Sequence, residues 1–147
     1  MKPVSRFRPG FRWDDVALEP YKPEDAHYRD VSRQVLFGAD AGLAAELRYF
    51  EIAPGGWTTL ERHAHVHAVL VLRGAGRVLV GEALFDVAPF DRVRVPPRTW
   101  HQLRAADDAP LGFLCLVDAL RDRPERPGPD DLAALRADPE RAAFLRV

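Results

Sequence analysis

Turn-forming residues fall at short, nearly regular intervals along the middle of this chain. Gly38, Pro54 with Gly55 and Gly56, Gly74 with Gly76, Gly81 with Glu82, Pro89, Pro96 with Pro97, and the stretch 107–110 divide it into brief apolar segments. The segments between them read as strands: 33–37, 43–52, 57–63, 66–72, 77–80, 83–87, 92–95, 100–104 and 111–117. Many short strands with this punctuation mean an all-β sandwich or barrel and exclude alternating βα units. Within 68–72 the apolar residues do not alternate, so that strand is expected to be covered on both faces.

Three zones surround and include this body. Residues 1–30 are rich in Pro, Arg, Asp and aromatics (Phe7, Phe11, Trp13, Tyr21, Tyr28) without a period, and read as an extended arm held to the domain by its rings. Residues 31–118 are the barrel. Residues 119–147 begin with a stiff segment containing Pro124, Pro127, Gly128 and Pro129, which suits neither helix nor inner strand. Two short helices follow. Asp130 can cap one over Leu132 and Leu135, and Asp138 with Pro139 at the first helical position starts another towards Phe144.

Composition narrows the function classes. With 147 residues, one domain is the default, and a core of that size needs no disulfide or structural metal to fold. Twenty-one Lys and Arg against 22 Asp and Glu leave a formal charge of −1, which argues against nucleic acid or an anionic membrane as partner. Cys115 is the single cysteine, so an intrachain disulfide and a Cys-rich zinc site are excluded, and among Phe113, Leu114, Leu116 and Val117 it reads as a small buried hydrophobe. The longest apolar runs fall far short of the roughly 20 residues a membrane helix needs. The first ten residues carry Lys2, Arg6 and Arg8 without an apolar stretch behind them, so a cytoplasmic location is expected.

The chemistry concentrates in a histidine cluster. His63, His65 and His67 alternate, and His101 lies near another strand start. Strand side chains alternate faces, so Glu61, His63 and His67 can share one side although a turn falls near 64–66. With His101 they would form a site of three nitrogens and one carboxylate oxygen for a divalent transition metal, leaving a position open. Two bland readings compete: a solvated polar hairpin, or core histidines satisfied by backbone groups. Glu61 has its own bland reading as a surface acid paired with Arg62 or Arg73. Thr59, Tyr49 and Glu51 are candidates to steady the imidazoles. Tyr49, Trp57, Thr59 and His65 are candidate pocket-lining residues, with plain packing the competing role for the aromatics and a surface or interface role for His65.

Read with its flanks, the cluster resembles the cupin superfamily, whose first motif is Gly, five residues, His-x-His, three or four residues, Glu, six residues, Gly. From Gly55 to Gly74 the spacing matches, with Glu61 at the first His place, His63 at the second and His67 at the Glu place, so one carboxylate and one imidazole are exchanged. The second motif is Gly, five residues, Pro-x-Gly, two residues, His, three residues, Asn. Residues 90–105 resemble it through Pro96 and His101, but Phe90, Arg98 and Ala105 stand where Gly, Gly and Asn are usual, which predicts altered turns. The resemblance covers about residues 43–118, and more loosely 31–43.

That resemblance implies a double-stranded β-helix, or jelly-roll, barrel with a metal held by Glu61, His63, His67 and His101. Iron, manganese, nickel, cobalt and zinc all suit nitrogen and oxygen ligands, and these ligands do not choose among them. It also implies a homodimer, since small cupins commonly pair through their sheets. Cupins include dioxygenases and other oxidoreductases, decarboxylases, isomerases, sugar-binding regulatory domains and storage proteins. Two functions follow as expectations: a metal-dependent enzyme acting on a small oxygen-rich molecule, or a non-catalytic domain that binds or senses one. A third, a docking domain using the arm and the C-terminal helices, has less to support it.

Overall fold

A computed structural model describes residues 1–22 and 27–147; residues 23–26 of the expected arm lie outside the described residues. The arm holds a small hairpin, β1 (Phe7–Arg8) with β2 (Arg12–Trp13), and then β3 (Glu19–Pro20). The barrel strands are β4 (Arg29–Phe37), β5 (Ala45–Trp57), β6 (His67–Gly74), β7 (Gly76–Val80), β8 (Ala83–Val87), β9 (Arg92–Val95), β10 (His101–Ala105) and β11 (Leu111–Asp118). Helices α1 (Pro129–Leu135) and α2 (Pro139–Phe144) close the chain. Every strand pairing is antiparallel, and the order β8-β7-β10-β5-β11-β6-β9, with β4 on β5 and β3 on β4, curls one sheet into a jelly roll. The all-β architecture read from the turn spacing is the one the chain adopts.

Period-two alternation fixes which side of each strand faces inward. On β5, Phe50 and Ile52 enter the core with Val69 and Val71 of β6, Val78 of β7, and Leu111 and Phe113 of β11. The opposite face of β5 carries Tyr49, which is 1% exposed because Phe11 stacks on it at 5.3 Å and Trp13 meets it edge-on at 5.5 Å. The arm is therefore fastened by its rings, each such pair worth roughly 0.5–1.5 kcal/mol beyond its buried area. A second core lies under the C-terminal helices, where Leu135, Phe144 and Leu145 pack on Leu60 and Leu79. Helix α2 starts as its residues predict, with Asp138 Oδ1 accepting from Arg141 N at 2.9 Å and Pro139 following. Helix α1 starts earlier than expected: Gly128 is its cap rather than Asp130, and Gly128 N donates to Asp131 Oδ2 at 3.0 Å.

Three expectations change. Strand β5 runs unbroken through Pro54, Gly55 and Gly56, where two strands were expected; Gly55 takes φ +74° and donates to Ala106 O at 2.9 Å, so the strand bends without ending. The doubly apolar strand β6 has only one face in the core, since Ala68 and its neighbour Leu116 on β11 are exposed in the single chain. The turns at 90 and 98 keep the geometry that glycine favours: Phe90 adopts φ +75° and Arg98 φ +55°. Such backbone costs about 1–2 kcal/mol per residue, and it is held by Phe90 N donating to Val71 O at 2.8 Å and Arg98 N to His63 O at 2.6 Å.

Candidate metal centre

The segment after β5 leaves the sheet but follows β10 as an extended chain. Thr58 N donates to Leu103 O, and Glu61 and His101 exchange backbone hydrogen bonds at 3.2 and 3.0 Å. This seats His101 beside Glu61. The loop 62–66 then folds back, and His67, the first residue of β6, lines the same cavity. His63, His67 and His101 thereby converge, each offering a ring nitrogen, and the three nitrogens lie within 4.8 Å of one another. Ring centroids are 4.4 Å apart for His63–His67, 4.8 Å for His63–His101 and 5.2 Å for His67–His101.

The hydrogen bonds select a tautomer. His63 Nδ1 lies 2.7 Å from His65 O, and His101 Nδ1 lies 2.9 Å from Thr99 O. A carbonyl only accepts, so both Nδ1 atoms carry the proton and both Nε2 lone pairs point elsewhere. His63 Nε2 is buried with no hydrogen-bond partner. Burial, reinforced by His101 and His65, pushes the His63 imidazole down to about 4; burial pushes His101 to about 4 as well, and pushes His67 far below the usual range. Three neutral imidazoles, two of them with Nε2 set as the lone-pair nitrogen and one of those nitrogens orphaned, suit a divalent transition metal. Imidazole nitrogens around a tetrahedral ion stand about 3.3 Å apart at bond lengths near 2.0–2.1 Å, so small ring rotations complete the set.

Glu61 is brought to the same cavity but its carboxylate is engaged elsewhere: Lys22 Nζ, from the arm, donates to Glu61 Oε2 at 2.5 Å. Neither suggested arginine pairs with it, since Arg62 binds Glu125 and Arg73 binds Glu51. His65 also lines the cavity. Its ring stacks on His63 at 3.6 Å, and its Nδ1 lies 2.8 Å from Asp122 Oδ1. The other lining candidates lie outside it. Tyr49 faces the arm and donates to Glu51 at 2.7 Å, Trp57 sits under the Arg29 guanidinium at 5.4 Å, and Thr59 is fully buried with its hydroxyl unpartnered. Alternation places Tyr49 on the outer face of β5, and none of Thr59, Tyr49 and Glu51 touches an imidazole; backbone carbonyls do that work instead.

The cavity has a volume of about 180 Å³ and a mixed lining. Phe50, Val69, Leu103 and Phe113 form an apolar wall, and Lys22, Arg33, Arg48 and Arg121 add cations. Cys115 is buried as expected, but it also lines the cavity and accepts from Arg48 Nη2 at 3.6 Å; burial pushes its thiol above the usual range.

Residues 48–117 match the family of cupin domains. A 1-methylthio-D-xylulose 5-phosphate methylsulfurylase of Rhodospirillum rubrum is 52% identical over 145 residues, 98% of this chain and 92% of that protein. The chain belongs to the cupin family. The crystal structure of a cupin 2 conserved barrel domain protein from Rhodopseudomonas palustris superposes with a TM-score of 0.92 at 54% identity, covering 98% of this chain and 99% of the other. That of a cupin-2 domain from Rhodospirillum rubrum gives 0.86 at 52%, covering 97% and 96%.

Two residues that line the cavity of this cupin escaped the motif reading. Asp122 comes from the stiff segment after β11 and accepts from Ala64 N at 2.7 Å and His65 N at 3.1 Å, pinning the loop between two imidazoles. Those backbone N–H groups and His65 hold its carboxyl well below the usual range. Nothing local to Asp122 signals this. Arg48 was legible in principle: Arg48, Phe50 and Ile52 alternate on β5, so a strand reading with one apolar face already places a guanidinium inside the barrel.

Proposed function

We propose that this cupin is a metal-dependent enzyme acting on a small, oxygen-rich sugar phosphate of the kind named for its Rhodospirillum rubrum relative, a methylthio-ketose phosphate. The observation that carries the reading is the convergence of His63, His67 and His101 on one cavity, their ring nitrogens within 4.8 Å of one another and His63 Nε2 buried without a partner. A metal bound there would polarise a ketose carbonyl or hydroxyl as a Lewis acid. The remaining work falls to the chain. The carbonyls of His65 and Thr99 fix the ring orientations. Phe50, Val69, Leu103 and Phe113 offer an apolar wall to an alkyl or thioether group and exclude water. Lys22 ties the arm across Glu61 through Oε2, which leaves Oε1 as the oxygen Glu61 could offer to the ligand set.

The test loads the purified protein separately with iron, manganese, nickel, cobalt and zinc and follows 1-methylthio-D-xylulose 5-phosphate. The reading predicts tightly held metal in the wild type, none in His63→Ala, and turnover that depends on the metal. Undiminished turnover in chelator-treated His63→Ala protein would overturn it. Binding of the sugar phosphate without conversion would return the chain to the non-catalytic class.

A further inference from the structure

Three of the four cations around the cavity already have a carboxylate. Lys22 holds Glu61; Arg33 Nη2 donates to Glu19 at 2.7 Å; Arg121 Nη2 lies 2.8 Å from Glu46. Arg48 differs. It is 8% exposed, and its Nε is buried without a hydrogen-bond partner. The nearest carboxylate, Glu46, is 4.0 Å from that Nε and already serves Arg121. Among the described residues, the hydrogen bond recorded for Arg48 goes to the weak acceptor Cys115 Sγ at 3.6 Å. A guanidinium has five N–H donors in a fixed fork. Burying it with so little compensation is costly unless an anion arrives to complete it.

The position of Arg48 gives that anion a place. The guanidinium lies over the Phe50 ring at 5.0 Å, on the inner wall of β5, and lines the same cavity as His67. On β4, Arg33 pairs with Phe50 and Val35 with Arg48, so Arg33 is the diagonal inner-face neighbour of Arg48. The one other acid in the lining, Asp122, is occupied by two backbone N–H groups and His65.

We infer that Arg48, flanked by Arg33, is the phosphate-binding residue of the cavity, anchoring a phosphomonoester dianion so that the sugar reaches from it towards the three imidazoles. This rests on the sugar-phosphate reading above and assigns it to a residue.

The experiment titrates the whole chain, metal-loaded except in His67→Ala, with inorganic phosphate, ribulose 5-phosphate and unphosphorylated ribulose, using calorimetry and the shift in melting temperature. Wild type, Arg48→Met, Arg48→Lys and His67→Ala are compared. Arg48→Met keeps the side-chain stem and removes the charge. Expected is a loss of about ten- to hundredfold in affinity for both phosphate ligands in Arg48→Met, a smaller loss in Arg48→Lys, unchanged metal content in both, and no change for ribulose. His67→Ala should still bind inorganic phosphate, which separates a guanidinium site from phosphate attached to a metal ion. Unchanged phosphate affinity in Arg48→Met, or loss in His67→Ala alone, overturns the inference. If Arg48→Met fails to fold, Arg48→Lys decides: retention of wild-type affinity for phosphate and ribulose 5-phosphate overturns it. Metal-dependent turnover with phosphate affinity indifferent to Arg48 would sink this inference and leave the proposed function standing; Arg48-dependent phosphate binding without turnover would do the reverse.

Discussion

The two ends of the barrel interior are built from the same strands and differ in nearly every physical respect. At one end β5, β6 and β11 contribute Ile52, Val71 and Leu111, each with no exposure. At the other they contribute Arg48, His67 and Cys115, joined by His101 from β10 and His63 from the loop. The first end removes apolar area from water at about 25 cal/mol per Å² and sets stability. The second holds unpartnered nitrogens and a nearly uncompensated guanidinium, which cost stability and have chemical use. A few residues along each strand therefore separate folding from function.

Substitutions can test that separation. The largest effect is expected in His63→Ala and His67→Ala, where elemental analysis should find the tightly bound metal gone while metal-free melting stays within a few degrees of wild type. A collapse of melting would mean that the imidazole end also carries the fold. Next, Leu111→Ala should cost about 2–5 kcal/mol in urea unfolding yet leave metal stoichiometry intact in the folded protein. Loss of metal there would show the two ends to be coupled.

The pH response should also divide. His63 and His101 sit at about 4 in the folded protein, below the ordinary histidine value of about 6.5. Between those values the unfolded chain binds more protons, so metal-free stability should fall as pH drops from about 6.5 towards 4 and be flat with respect to these groups above 6.5. Urea unfolding at several pH values reads this directly; equal stability at pH 7 and pH 5 would contradict it. The apolar end contributes no such slope. The smallest effect is expected in Asp122→Asn, which weakens the clamp on residues 64–65 and should lower metal affinity by about tenfold, measured by chelator competition.

The sequence revealed the two ends unequally. Strands 83–87 and 92–95 were read with their observed bounds, because glycine and proline punctuate them sharply. Residues 54–56 misled, since a Pro-Gly-Gly run normally ends a strand, and here a left-handed Gly55 bends it instead. Phe90 and Arg98 hide the second motif's glycines while keeping their backbone shape. The three histidines were legible from their spacing and the motif resemblance; His67 and His101 each open a strand, whereas His63 stands in the loop and is set by the His65 carbonyl. The occupation of Glu61 by Lys22 was not, because 39 positions separate the two and only the fold brings the arm across the cavity mouth. Arg48 and Asp122 show the same limit: local pattern gives a residue its face, while its partner comes from elsewhere in the chain.

The central claim is that His63, His67 and His101 share one ion. Anomalous scattering at the metal's absorption edge, from crystals of protein loaded with that metal, tests it most directly. A single peak bonded to these three imidazoles at about 2.0–2.2 Å is the predicted result, and its distance to Glu61 will show whether that carboxylate joins the set. A peak on His65 and Asp122 instead, or no peak within reach of the three rings, would contradict it.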